Sequence, residues 1–206
     1  MEVLVTDPNL ADRLIAQRQE WEVDRFDEVW DGVYVLAPIA DNTHQELQML
    51  LGSILYEMMG MGSRPGVHVY MGVNVSDRID GWELNYRWPD VAVFLPGTTA
   101  HECGSHWCGG PDFAVEIRCR GDRTMQKLPF YASVNVRELL IIDREPWSVE
   151  VYRLREGALN RVDRIAIDDA KSVSSDLLAL SFRLIPASPR PTIEVAHRET
   201  GQRWSV

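Results

Sequence analysis

The sequence is poor in lysine. Of its 21 basic residues only Lys127 and Lys171 are lysines, and the other 19 are arginines. It is also poor in cysteine, and an odd count of three speaks against a disulfide-stapled secreted scaffold and fits a reducing cytoplasm. No apolar run approaches the roughly 18 residues of a membrane span. Met1–Asp7 offers no basic segment followed by an apolar one, so neither a span nor a secretion signal is expected. Positive charge is in deficit too: 31 acidic residues against 21 basic ones give a formal net charge of −10. That balance excludes coating nucleic acid by bulk charge and leaves room for a local site. What is present is an ordinary globular composition, 45% apolar and 25% charged over 206 residues. A chain of this length buries roughly 70% of its unfolded surface, enough for one domain that needs no disulfide or metal to hold its core.

Periodicity and turn chemistry give the order helix, hairpin, helix, a run of strands, helix, strands, which is a mixed α/β or α+β sheet with helices against it. A first helix is expected over Leu10–Glu22, with Leu10, Leu14, Ile15 and Trp21 as its apolar side. The acidic stretch from Glu20 to Asp31 reads as a solvated face. Inside it, Glu28 to Val35 reads as a hairpin, because Asp31-Gly32 supplies the positive φ of a tight type I′ turn. Glu28 and Trp30 then share one face. Asp41 or Asn42 caps a helix running to about Gly60, whose stripe is Leu47, Leu50, Leu51, Ile54, Leu55 and Met58. Extended segments follow near Val67–Val75, Arg87–Phe94, Asp112–Arg118, Leu139–Asp143 and Val149–Leu154. Between Cys119 and Val134 a helix is expected, capped by Asp122, in which Pro129 imposes a kink or an early stop. Thr192–His197 and Arg203–Val206 read as a closing hairpin.

Two acids stand in strand-like runs. Asp90 opens Pro89-Asp90-Val91-Ala92-Val93-Phe94, and Glu116 interrupts the apolar run Phe113-Ala114-Val115-Glu116-Ile117. An acid inside such a run is costly unless a metal, a cation or hydrogen-bond donors offset its desolvation. Two readings of Glu116 stay open: a position on an exposed face or paired with arginine, and a position in a site. Carboxylates from adjacent strands can meet over one Mg²⁺, which takes hard oxygen ligands and keeps water. Lys127, eleven residues after Glu116 on the following helix, is then placed to orient water and offset charge on a phosphorane-like transition state.

In order along the chain stand Glu28-Val29-Trp30-Asp31-Gly32, His44, Pro89-Asp90-Val91, Pro111-Asp112-Phe113-Ala114-Val115-Glu116, Asp122-Arg123, Lys127, Tyr131 and Arg137-Glu138-Leu139-Leu140-Ile141-Ile142-Asp143. With this ordered set the chain resembles the bacterial Uma-two family of restriction endonucleases, within the PD-(D/E)XK nuclease superfamily, from about Trp21 to Leu154. The resemblance implies a restriction-endonuclease-like mixed sheet flanked by helices, spanning residues 21–206. Residues 1–20 are then an N-terminal helical extension and 161–206 a short strand-rich appendage. It implies a cytoplasmic Mg²⁺- or Mn²⁺-dependent endonuclease acting on DNA as a homodimer, with Asp90 and Glu116 as metal-binding acids and Lys127 as a relocated catalytic lysine. Glu28 is then an additional catalytic acid, and His44 lines the site. The superfamily's usual Glu-Xaa-Lys has its lysine where this chain has Arg118. Arginine stays protonated and is a poor base; Arg118 neutralises a phosphate, or it pairs with Glu116 and blocks metal, leaving a non-catalytic relative that binds nucleic acid or a partner protein.

His101, Cys103, His106 and Cys108 place four borderline ligands within eight residues, a candidate structural Zn²⁺ loop, although such a compact loop strains tetrahedral coordination. Arg118, Arg120 and Arg123 are candidate phosphate grips or partners of the surplus acids. Trp82, Trp88 and Trp107 are stackers for unpaired bases or core residues, and sequence alone assigns none of them. No nucleophile elbow or phosphate-cradling glycine loop is present.

Overall fold

A central sheet of six strands organises the chain in the spatial order Ala158–Ala166, Trp147–Arg155, Glu138–Arg144, Phe113–Arg118, Val91–Phe94 and His68–Tyr70. The computed structural model of the protein describes residues 3–21, 24, 26–37, 40–59 and 65–206. Phe113–Arg118 runs parallel to Glu138–Arg144 and antiparallel to Val91–Phe94. Parallel neighbours need a crossover, and a helix over Thr124–Ser133, here α3, provides it. Two more helices precede it, α1 over Pro8–Glu20 and α2 over Asn42–Met58.

Strand alternation sorts the core into two sides. Phe113, Val115 and Ile117 pack with the α2 stripe of Leu47, Leu51, Ile54 and Leu55. Ala114, Leu139 and Ile141 pack with Phe130 and Tyr131 of α3. Around this body lie a seven-stranded sheet, which includes the hairpin Glu28–Trp30/Val33–Leu36, and a four-stranded sheet over Val173–Ser205. The hairpin turns as expected, Asp31 and Gly32 both taking positive φ. Glu138 ties the four-stranded sheet down. It is 1% exposed and accepts from Arg153 Nε at 3.0 Å, from the Ser175 hydroxyl and from the Asp176 amide. Arg153→Ala leaves that carboxylate without its cation, and urea unfolding is expected to show a loss of about 3 kcal/mol.

Several local expectations shift. Helix α1 starts at Pro8 rather than Leu10, because Asp7 accepts from the Asn9 and Leu10 amides and Pro8 suits the first turn. Leu10 and Trp21 are exposed, so its buried side is Ala11 with the partly buried Leu14 and Ile15. The acidic stretch is not wholly a solvated face. Asp27 and Glu28 are buried, and Asp27 accepts from Arg18, the Tyr34 hydroxyl and the Ala37 amide, which clasps α1 to the hairpin. Helix α3 passes Pro129 without stopping and runs to Ser133. Gly60, the expected end of α2, and Glu22 lie outside the described residues. The first strand expected after Arg161 is the outer strand of the central sheet and begins at Ala158. No described helix is long and apolar enough to cross a membrane.

Candidate active site

Strand register brings the two acids together. Val115 pairs with Val91 and Ala114 with Ala92, and one more step along that antiparallel register sets Glu116 opposite Asp90. Directly opposed residues carry their side chains on the same face. On the crossover helix Lys127 and Tyr131 are four residues apart, hence on one face, and both are buried over Glu116. From the other side the hairpin strand delivers Glu28.

The resulting cluster is dense in charge and almost dry. Glu116 is 3% exposed and Lys127 5%. Lys127 Nζ lies 2.8 Å from Glu28 Oε1 and 3.2 Å from both carboxylate oxygens of Glu116. The Tyr131 hydroxyl also donates to Glu116. Glu28 accepts from the Trp88 amide at 2.8 Å and from Trp30 Nε1 at 2.6 Å in addition to Lys127. Asp90 accepts from the Ile117 amide at 2.6 Å and faces His44 Nε2 at 3.2 Å, while its backbone carbonyl accepts from Gln48 Nε2. Burial pushes the Glu116 pKa up, to about 8; Lys127 pulls it back, and the charges of Asp90 and Glu28 push it up again. The Tyr131 hydroxyl is held well above its usual range by burial and by Glu116. For His44, burial works against the charged form, but the Asp90 carboxylate outweighs it and the net shift is upward. Glu28, His44, Gln48, Asp90, Glu116 and Lys127 line one cavity of about 100 Å³, walled also by Phe26, Trp88 and Ala37.

The structure therefore gathers Glu28, Asp90, Glu116, Lys127 and His44. It does not bring Arg118 to Glu116. That guanidinium pairs with Asp143 at 2.6 Å and lies 3.5 Å from Asp122, so the cation on Glu116 is Lys127. Nor do the four residues of the histidine-cysteine loop converge. They form a hairpin in which His106 is buried against Trp82, its nitrogens bonded to the Ser105 hydroxyl and the Arg78 carbonyl, whereas His101 is exposed. Among the described residues no group of three or more His, Cys, Asp or Glu side chains could hold a metal ion.

Sequence reasoning missed three supports. Gln48 lies four residues after His44 and shares its helix face, a spacing that was readable. Trp30, already on the face of Glu28, and the Trp88 amide hold Glu28, and only the three-dimensional pairing of hairpin and strand shows the second. Trp88 itself rests on Gly72, where a Cβ would fall 2.3 Å from Trp88 Nε1 and where φ is +80°. Gly72→Ala is expected to displace the indole at a cost of about 1–3 kcal/mol, visible as a lower unfolding midpoint and an altered near-ultraviolet circular dichroism.

Comparison with known proteins bears on the fold and the family. No curated protein matches the chain. A solved structure, of a putative nuclease belonging to DUF820 from Anabaena variabilis, superposes with a TM-score of 0.56 at 16% identity, covering 74% of this chain and 83% of that one; at that identity the likeness is one of fold. The model of the Uma2 family, described as putative restriction endonucleases, matches residues 12–188. The chain belongs to the Uma2 family.

Proposed function

We propose that the protein is a Mg²⁺- or Mn²⁺-dependent endonuclease that hydrolyses DNA phosphodiester bonds at the Asp90–Glu116–Lys127 cluster. The observation that carries this reading is the gathering of three carboxyl groups, Glu28, Asp90 and Glu116, in one buried pocket, with Lys127 against Glu28 and Glu116 and His44 against Asp90. Burial and the charges of Asp90 and Glu28 disfavour ionised Glu116, and a divalent cation beside it would favour the carboxylate form. The donor set fits a hard ion. Asp90 and Glu116 offer carboxylate oxygens on one face, and Mg²⁺ is commonly held by one or two carboxylates together with water and substrate phosphate. Asp90 and Glu116 are the pair set opposite each other on adjacent strands and are the ion's protein ligands in this reading, while Glu28 holds Lys127. Family membership supplies the nucleic-acid substrate class.

When bound, the ion supplies charge neutralisation at the phosphoryl oxygens and a more acidic water. The chain's own residues do the rest. Lys127 Nζ donates toward the attacking water and the phosphoryl oxygens as negative charge grows on them, in a dry site where such donors count most. Glu28 holds Lys127 in place, and Tyr131 holds Glu116. The Ile117 amide and His44 fix the Asp90 carboxylate. Water oxygen bonds to phosphorus and gives up a proton to solvent, the bond to the leaving sugar oxygen breaks, and the leaving oxygen takes up a proton from solvent.

Closed circular DNA, single- and double-stranded, tests the reading because a circle has no end for an exonuclease. The purified chain is expected to open circles with Mg²⁺ or Mn²⁺ and to leave them intact in EDTA. Circles that stay closed with either metal would refute it.

A further inference from the structure

We propose that the cavity takes the phosphodiester of an unpaired strand, a single-stranded run or overhang, in preference to a closed duplex, and that Trp88 stacks on a base beside the scissile phosphate. The inference rests on the nuclease reading for the word scissile and on the cavity for the rest. Reacting phosphorus has to come within contact of Glu116 and Lys127, which are 3% and 5% exposed, inside about 100 Å³ of space. A phosphate has to enter this recess, with its flanking sugars, to reach them. Duplex phosphates lie on the outside of a rod whose persistence length is about 50 nm, so turning one inward costs bending or unstacking. An unpaired strand turns its backbone inward freely and splays its bases.

Wall chemistry agrees. Trp88 and Phe26 meet edge to face at 6.1 Å on one wall of the cavity, and aromatic rings stack on any base. Of the three tryptophans that sequence left open, Trp88 lines this cavity and the other two do not. Trp107 stacks on Phe94 at 3.7 Å and Trp82 on His106 at 4.8 Å. Trp88 is seated by Gly72 and turned to the site. At the rim Arg144 is held by Asp41 and Arg118 by Asp143, and the chain carries −10 overall. Stacking supplies affinity that charge does not.

Fluorescence anisotropy with a labelled single-stranded oligonucleotide and the matching blunt duplex, in Ca²⁺, reads this directly on the wild-type chain. The single strand is expected to bind at least about tenfold more tightly. Trp88→Ala should lose about tenfold on the single strand with little change on the duplex, and Trp88→Phe should stay within about threefold of wild type. Equal or tighter duplex binding overturns the proposal even if Trp88→Ala fails to fold, because it is read on wild type. Unchanged single-strand affinity in a folded Trp88→Ala chain overturns the stacking role. Strand preference without Mg²⁺-dependent cleavage supports this inference and sinks the nuclease reading alone.

Discussion

Lys127→Met is expected to lower the Mg²⁺-dependent cleavage rate by about 10²–10³-fold, the range for removing one charged donor from a water-excluded site. The methionine side chain is close to lysine in length and fills much of the same space, so the loss reports charge rather than a cavity. Measured at saturating metal, the rate falls while Mg²⁺ affinity is kept or raised, which separates a donor to the reacting groups from a residue needed to hold the ion. The substitution also leaves Glu28 and Glu116 buried without their shared cation. A drop of about 3–5 kcal/mol in unfolding free energy in EDTA is therefore expected. Because a divalent ion offsets the same charges, Mg²⁺ should recover part of that drop.

Asp90→Asn and Glu116→Gln are expected to weaken Mg²⁺ binding by more than about 100-fold, beyond the 10–100-fold typical of residues that only support a ligand. Both are close in shape to the native residues. The side-chain amide of the Asp90→Asn variant still offers an oxygen to the Ile117 amide, so the local fold survives. Titration calorimetry on metal-free protein measures the affinity, and thermal unfolding gives an independent reading. Mg²⁺ should raise the wild-type midpoint by mass action and leave both variants unmoved. Glu28→Gln, by contrast, should keep most of the Mg²⁺ affinity, since Glu28 comes from the hairpin and not from the opposed strand positions of Asp90 and Glu116.

Much of this site was legible in the sequence because its parts lie on regular elements. An acid inside Phe-Ala-Val-Glu-Ile has few stable solutions, and its pairing with Asp90 follows from strand alternation once the two segments are neighbours. The Asp31-Gly32 turn likewise fixes which face Glu28 shares with Trp30. What sequence left open was which cation meets Glu116. Arg118 lies two residues away on the same strand face and Lys127 eleven residues away. The choice depends on Asp143 and Asp122, which draw the arginine aside. The burial of Asp27 was hidden for a similar reason. Its partners Arg18 and Tyr34 come from a separate helix and from the far strand of the hairpin, and an acidic run carries no mark of which member turns inward. Trp88 could not be told from Trp82 and Trp107 until their neighbours His106 and Phe94 were placed.

The central claim is that Asp90, Glu116 and Lys127 cut DNA together with a divalent ion. Its most direct test is the cleavage rate of DNA by protein stripped of metal, with Mg²⁺ added back, for wild type beside Asp90→Asn at matched fold. Wild type is expected to cut only after Mg²⁺ is restored and the folded variant to cut at least about 10²-fold more slowly. Equal rates for the two, or a wild-type rate indifferent to Mg²⁺ and EDTA, would contradict the account.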